Sequence, residues 1–193
     1  MRFNTHSDLV GLHAFLSASK YHWINYDNDK LMSTWDRHRD AVRGSELHDL
    51  AARLIRMKIK MPRTRQTFNM YVNDAIGYRM TPEQVLFYSP LCFGTADAIG
   101  FRKNPETGRM LLRIHDLKNG FTPAKIAQLK IYAAMFCLEY NYRPSEIDIE
   151  LRLYQSDDVE YCVPEVDEIA HIMSRIVEFV EMIENARAEA NND

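Results

Sequence analysis

The sequence predicts an α/β domain, with a short mixed sheet of about four or five strands flanked by helices, and two patterns carry that expectation. Short apolar runs with strand-like alternation, Gln84 to Tyr88, Phe93 to Phe101, Leu112 to Lys118 and Ile147 to Tyr154, are bounded by Gly, Pro or Asn. Longer stretches with apolar residues at helical spacing surround them, at about 29–59, 123–140 and 166–188. An α+β meander is the competing arrangement. With 193 residues, 46% of them hydrophobic, the chain is long enough for one domain with a real core. It divides into a helical part over about 1–80, a core over about 84–155 and an acidic C-terminal helix over about 165–188, with no linker or repeat to mark a second domain.

In chain order, Ser17 or Ser19 caps a first helical stretch that runs through Ile24, and a longer one follows from about Asp29 to Ile59. Tyr21, Trp23, Tyr26 and Trp35 are of the type that stacks on bases, but aromatic residues at this spacing more often form core. Leu47, Leu50, Ala51 and Leu54 make a stripe with His48 beside it. After Pro62 a short helix is expected around Tyr71 to Ala75, with Asp74 as a spare acidic group. Ser89-Pro90 turns the first strand into the second. The turn Asn104-Pro105-Glu106-Thr107-Gly108 makes the second and third a hairpin. Thr122 is placed to cap a helix from Pro123 to Tyr140, with Pro123 at its first position. In the last helix Val166, Ile169, Ile172, Met173, Ile176, Val180 and Ile183 form one stripe, the outer face is acidic, and the tail frays from Ala188.

No apolar run reaches the length of a membrane span, and Met1 to Lys20 lacks a signal pattern, so a cytoplasmic protein is expected. Cys92, Cys137 and Cys162 are odd in number and far apart, which favours neither a disulfide framework nor a zinc site. The net charge of −3 is unevenly spread. Residues 157–193 hold eleven acids against Arg175 and Arg187, a net of −9, which leaves the rest of the chain at +6. Within that remainder Arg53, Arg56, Lys58, Lys60, Arg63 and Arg65 form a run without an intervening acid. It is either a phosphate-holding surface or an ordinary solvated one.

The chemistry concentrates between Phe93 and Tyr132. Strand alternation puts Phe93, Thr95, Asp97, Ile99 and Phe101 on one face, and Leu112, Ile114, Asp116 and Lys118 on one face of the next strand. Charges beside core residues cost several kcal/mol unless they are paired or bind a metal. Two carboxylates suit Mg²⁺ or Mn²⁺, and a nearby ammonium suits the charge that develops on a phosphate. A solvated Asp116–Lys118 pair at the end of an edge strand is the alternative. In the helix that follows, Gln128 and Tyr132 stand at i and i+4, on one face.

The series Gly94-Thr95-Ala96-Asp97, Asp116-Leu117-Lys118 and Gln128-Leu129-Lys130-Ile131-Tyr132 resembles the successive motifs of the PD-(D/E)XK nucleases in their RecB-like exonuclease branch. Gly44-Ser45-Glu46-Leu47-His48 matches the upstream histidine of that branch, and the Leu16-Ser17-Ala18-Ser19-Lys20 opening is similar to that of small bacteriophage-encoded exonucleases. The likeness covers roughly Leu16 to Gln155. It implies a restriction-endonuclease-like core and a Mg²⁺ or Mn²⁺ held by Asp97, Asp116, His48 and the backbone carbonyl of Leu117. It also implies that Lys118 positions or helps deprotonate the attacking water, and that Gln128 and Tyr132 anchor the DNA strand. The iron–sulfur cluster of the CRISPR-associated relatives needs four cysteines, so none is expected here.

The expectation is therefore a metal-dependent deoxyribonuclease, acting as an exonuclease in phage DNA recombination or processing, in the host cytoplasm if phage-encoded. An endonuclease of the same fold is the nearest alternative. The rival from another class is a non-catalytic module that grips DNA or inhibits a host protein. A homo-oligomer or a phage or host recombination partner is left open.

Overall fold

The computed structural model describes residues 14–16, 18–120 and 123–190, so the expected caps Ser17 and Thr122, and the side chains of Ser19 and Tyr21, lie outside the described residues. Contacts gather the chain into two compact units, Met1–Glu46 and Leu47–Asp193, and the boundary falls inside helix α1 (Asn28–Met57). In the first unit a 3₁₀ helix, Ala18–Asn25, leads into α1, whose first turn is capped by Asp27: its Oδ1 accepts the Lys30 N–H at 2.8 Å. Trp35 packs edge-on against Phe15, with ring centroids 5.0 Å apart.

The second unit is α/β. Five strands, β1 (Thr81–Ser89), β2 (Cys92–Lys103), β3 (Met110–Leu117), β4 (Ile147–Gln155) and β5 (Asp158–Cys162), lie in that order in one mixed sheet. Only β3 and β4 run parallel, and the crossover between them carries α3 (Ala127–Glu139). Leu112, Ile114, Ile149 and Leu151 pack with Leu129 and Ala133 of α3 and Ile169 of α4 (Val166–Ala190). On the other face Leu117, Tyr154 and Ala98 pack with Ala51 and Ile55 of α1 and with Tyr71, Val72 and Ala75 of α2 (Thr67–Gly77). Covered on both faces, β3 is buried along most of its length, and this includes the polar His115 and Asp116.

Several boundaries differ from the sequence reading. The α3 helix begins at Ala127, behind Ile126 and without a side-chain cap, so Pro123 precedes the helix instead of opening it. A sheet of five strands lies within the expected four or five, but the fifth, β5, was not located in the sequence, because the two-residue turn that makes it is Ser156-Asp157, with φ of 52° and 59°, where Asn-Gly would have announced a hairpin. On α1 the inward stripe is His48, Ala51, Ala52 and Ile55, while Leu50 is 46% exposed. On α4 Val166 and Ile183 leave the stripe and are exposed.

The strand β2 departs most from simple alternation. Ala96 packs in the core under α3, and a Cβ on Gly94 would meet Tyr132 of α3, yet Ile99 and Phe101 also face α3 while Ala98 faces α2. The alternation therefore changes phase at Asp97. Phe93 and Thr95, expected beside Ile99 and Phe101, are exposed instead. The rung of β1 across from Asp97 is Glu83, whose φ of 52° is left-handed, and this is where the β1–β2 pairing skips a rung, between Pro82↔Ala98 and Gln84↔Ala96.

Candidate metal and phosphate site

The phase change frees Asp97 from the sheet faces and turns it into the seam between β2 and β3. The ladder joining these strands ends at Ala98↔His115. One rung further the Asp97 side chain takes over, its Oδ2 accepting the Leu117 N–H at 2.8 Å. Its Oδ1 lies 3.5 Å from Nδ1 of His48, which the inward stripe of α1 delivers from 49 residues upstream. That contact, and the Leu117 main chain, raise His48 above its usual value against the opposing effect of burial. Since the N–H and C=O of a strand residue point to the same side, the Leu117 carbonyl is turned towards Asp97 as well.

Asp116 follows at the C-terminal end of β3, the central strand, so it is not the end of an edge strand. It is 1% exposed. Lys118 Nζ stands 3.1 Å from its Oδ1, as a hydrogen bond, and 2.9 Å from its Oδ2, without hydrogen-bond alignment. Burial and then the Asp97 charge push the Asp116 carboxyl up to about 6, against the pull of Lys118. Shared-face geometry for Asp116 and Lys118 is thus as strand periodicity expects.

Glu83 completes a row that the sequence reading missed. It stands on β1 across from Asp97 of β2, and ligand atoms of His48, Glu83 and Asp97 all lie within 4.8 Å of one another. Burial and the Asp97 charge raise its carboxyl, with His48 and Arg56 opposing. The expected first strand began at Gln84, three residues after the observed start at Thr81, and so left Glu83 out. An acid directly before an apolar strand, across from a second acid, was the available signal.

Comparison with family models, curated proteins and solved structures finds no match for this chain.

On α3, Gln128 Nε2 donates to the Tyr132 hydroxyl at 3.3 Å, and the Tyr132 ring lies over Gly94 of β2, three residues before Asp97. A Cβ at position 94 would come within 3.0 Å of Tyr132 Cε1, which gives that glycine its reason. The six basic residues are all exposed. Arg56 acts on Glu83, whereas Lys60, Arg63 and Arg65 line an open pocket of about 590 Å³ together with Asp74. Asp74 is engaged elsewhere: it accepts the Tyr154 hydroxyl at 2.7 Å and Arg152 at 3.3 Å, in a network that includes the fully buried His115. Burial and the two arginines, Arg152 and Arg113, lower His115 far enough to keep it neutral. Among the described residues no helix is long and apolar enough to cross a membrane.

Proposed function

We propose that this chain is a divalent-metal-dependent nuclease with a restriction-endonuclease-like core, hydrolysing DNA phosphodiester bonds and acting exonucleolytically. What carries the reading is the gathering of His48, Asp97, Asp116, the Leu117 main chain and Lys118 from a helix and two neighbouring strands. The donors fit a hard divalent cation: carboxylate oxygens, a carbonyl and an imidazole, with one oxygen of a sealed carboxylate, Asp116 Oδ2, lacking a hydrogen bond. Asp97, Asp116, His48 and the Leu117 carbonyl would hold Mg²⁺ or Mn²⁺, which supplies charge neutralisation at phosphorus and a more acidic water.

The chain's own groups divide the remaining work. Lys118, held by Asp116, presents an ammonium that orients the attacking water and stabilises the added negative charge on the phosphoryl oxygens. Tyr132 and Gln128 offer a hydroxyl and an amide to the strand being cut, and the exposed basic residues offer charge to the flanking phosphates. End-labelled linear DNA and nicked circular DNA, each incubated with Mg²⁺, Mn²⁺ or EDTA, test the proposal. Metal-dependent loss of label from linear DNA is expected. DNA left intact under every metal condition, while still bound, would replace the enzyme by a binding module.

A further inference from the structure

We infer that Phe87 and Phe93 form a stacking shelf for unpaired bases of the DNA strand, so that the chain prefers DNA ends with a single-stranded tail. The inference rests on the nuclease reading above and adds to it a substrate preference and two positioning residues. In the β1–β2 hairpin Phe87 pairs with Phe93, and Val85 with Thr95. Leu86 and Ala96, which alternate with them, point into the core under α3, so these four side chains point to the opposite face. Farther along β2 that face is covered, with Ala98 packed against α1 and α2. At the hairpin end it is open: Phe93 is 63% exposed and Phe87 47%. Their ring centroids are 6.4 Å apart and their planes differ by 30°, which makes one broad apolar surface.

Two observations choose the occupant. The first is continuity with the proposed metal centre: Phe93 lies four residues before Asp97 on the same strand, about 13 Å along an extended chain. That distance is about four nucleotides at the B-form rise of about 3.4 Å, and fewer in a stretched strand. The second is that the free edge of β1 is closed here to an added protein strand. Glu139 Oε2 accepts the Phe87 N–H at 2.8 Å, and Gln84 Nε2 donates to the Val85 carbonyl at 2.8 Å, so the outward main chain is already used. What stays open is the flat faces of two aromatic rings, and unpaired bases stack on such faces whatever their sequence. Bases inside a duplex cannot reach them without unstacking.

The test uses the full-length chain and duplex DNA with a single-stranded tail, with KM and kcat measured in Mn²⁺ and binding measured in EDTA. Abasic nucleotides are placed one at a time along the tail. In wild type one of these positions should weaken binding about fivefold or more; Phe93→Ala should weaken binding of the intact tail equally, with kcat changed less than about twofold. Phe87→Ala should act in the same direction. The abasic and Phe93→Ala losses should not add, since each removes the same stack. Phe93→Trp should hold the affinity and Phe93→Leu should lose it, while Tm and the binding of blunt duplex respond to neither. The shelf is overturned if the abasic and Phe93→Ala losses add, or if Phe93→Leu binds the tail as wild type does. A dimer that Phe93→Ala converts to monomer, with tail binding unchanged, would also overturn it and assign the face to a second copy. Cleavage of the same DNA kept through these failures leaves the nuclease reading standing, whereas DNA neither bound nor cut by wild type overturns both.

Discussion

The Leu117 N–H donates to Oδ2 of Asp97 at 2.8 Å, so one side chain closes the β2–β3 seam where the backbone ladder has stopped. Asp97 therefore closes the sheet seam as well as being a ligand in the proposed metal centre, and its substitutions should separate the two roles. Asp97→Asn keeps an acceptor for Leu117 and should melt close to wild type. Asp97→Ala leaves a part-buried N–H unpaired, at a cost of about 1–3 kcal/mol, or several degrees in Tm for a domain of this size. Both should lose metal-dependent cleavage. Equal melting of the two variants in EDTA would show that the seam does not depend on this hydrogen bond.

Asp116 makes stability depend on pH and, under the proposed function, on metal. Its folded value is raised, so its contribution is fully present below the ordinary carboxyl range and is lost as pH rises through about 6. Above that pH the ionised carboxylate costs the metal-free fold on the order of 2–3 kcal/mol. Asp116→Asn should then melt higher than wild type at pH 8 in EDTA, with the difference fading towards pH 4. Added Mn²⁺ should raise the wild-type Tm at pH 8 more than that of the variant, whose cleavage should collapse. A variant that melts lower than wild type at pH 8 would assign Asp116 a purely structural role.

Gly94 and Tyr132 are coupled by direct packing. Gly94→Ala forces the Tyr132 ring aside by a few tenths of an ångström, because the new Cβ would meet Cε1 at 3.0 Å. A loss of about 1 kcal/mol in stability is expected, together with weaker DNA binding. Tyr132→Phe removes the hydroxyl that receives Gln128 and leaves the packing in place, so DNA binding should weaken while Tm holds. The coupling is absent if Gly94→Ala costs as much stability in a Tyr132→Ala background, where the ring is gone, as it does in wild type.

Lys60 and Arg63 test the basic surface apart from the proposed metal centre. Replacing both with Ala should weaken binding to every DNA sequence alike and reduce the slope of log affinity against log salt by about 0.9 for each phosphate that is no longer neutralised. Lys118→Ala should lower kcat far more than it weakens binding, because its charge matters most at the transition state. An unchanged salt slope in the double variant assigns these two residues to the solvated surface.

The sequence by itself determined the elements and the pairs that lie within them. A period of two brings Lys118 back over Asp116, a spacing of four sets Gln128 against Tyr132, and the turn from Asn104 to Gly108 folds β2 onto β3; all three are local, so periodicity and turn chemistry encode them. Only the tertiary structure decided the rest of the site. His48 reaches Asp97 through the packing of α1 on the sheet, and Gly94 is explained by a tyrosine 38 residues away. The phase change at Asp97 and the left-handed backbone of Glu83 bring a third carboxylate to the row. Nothing in the propensity of Glu or Asp announces that break in alternation. It arises on β2, which packs Ala96, Ile99 and Phe101 towards α3 and Ala98 towards α1 and α2, and the burial of those side chains offsets the local cost of one residue in a left-handed conformation on the neighbouring strand.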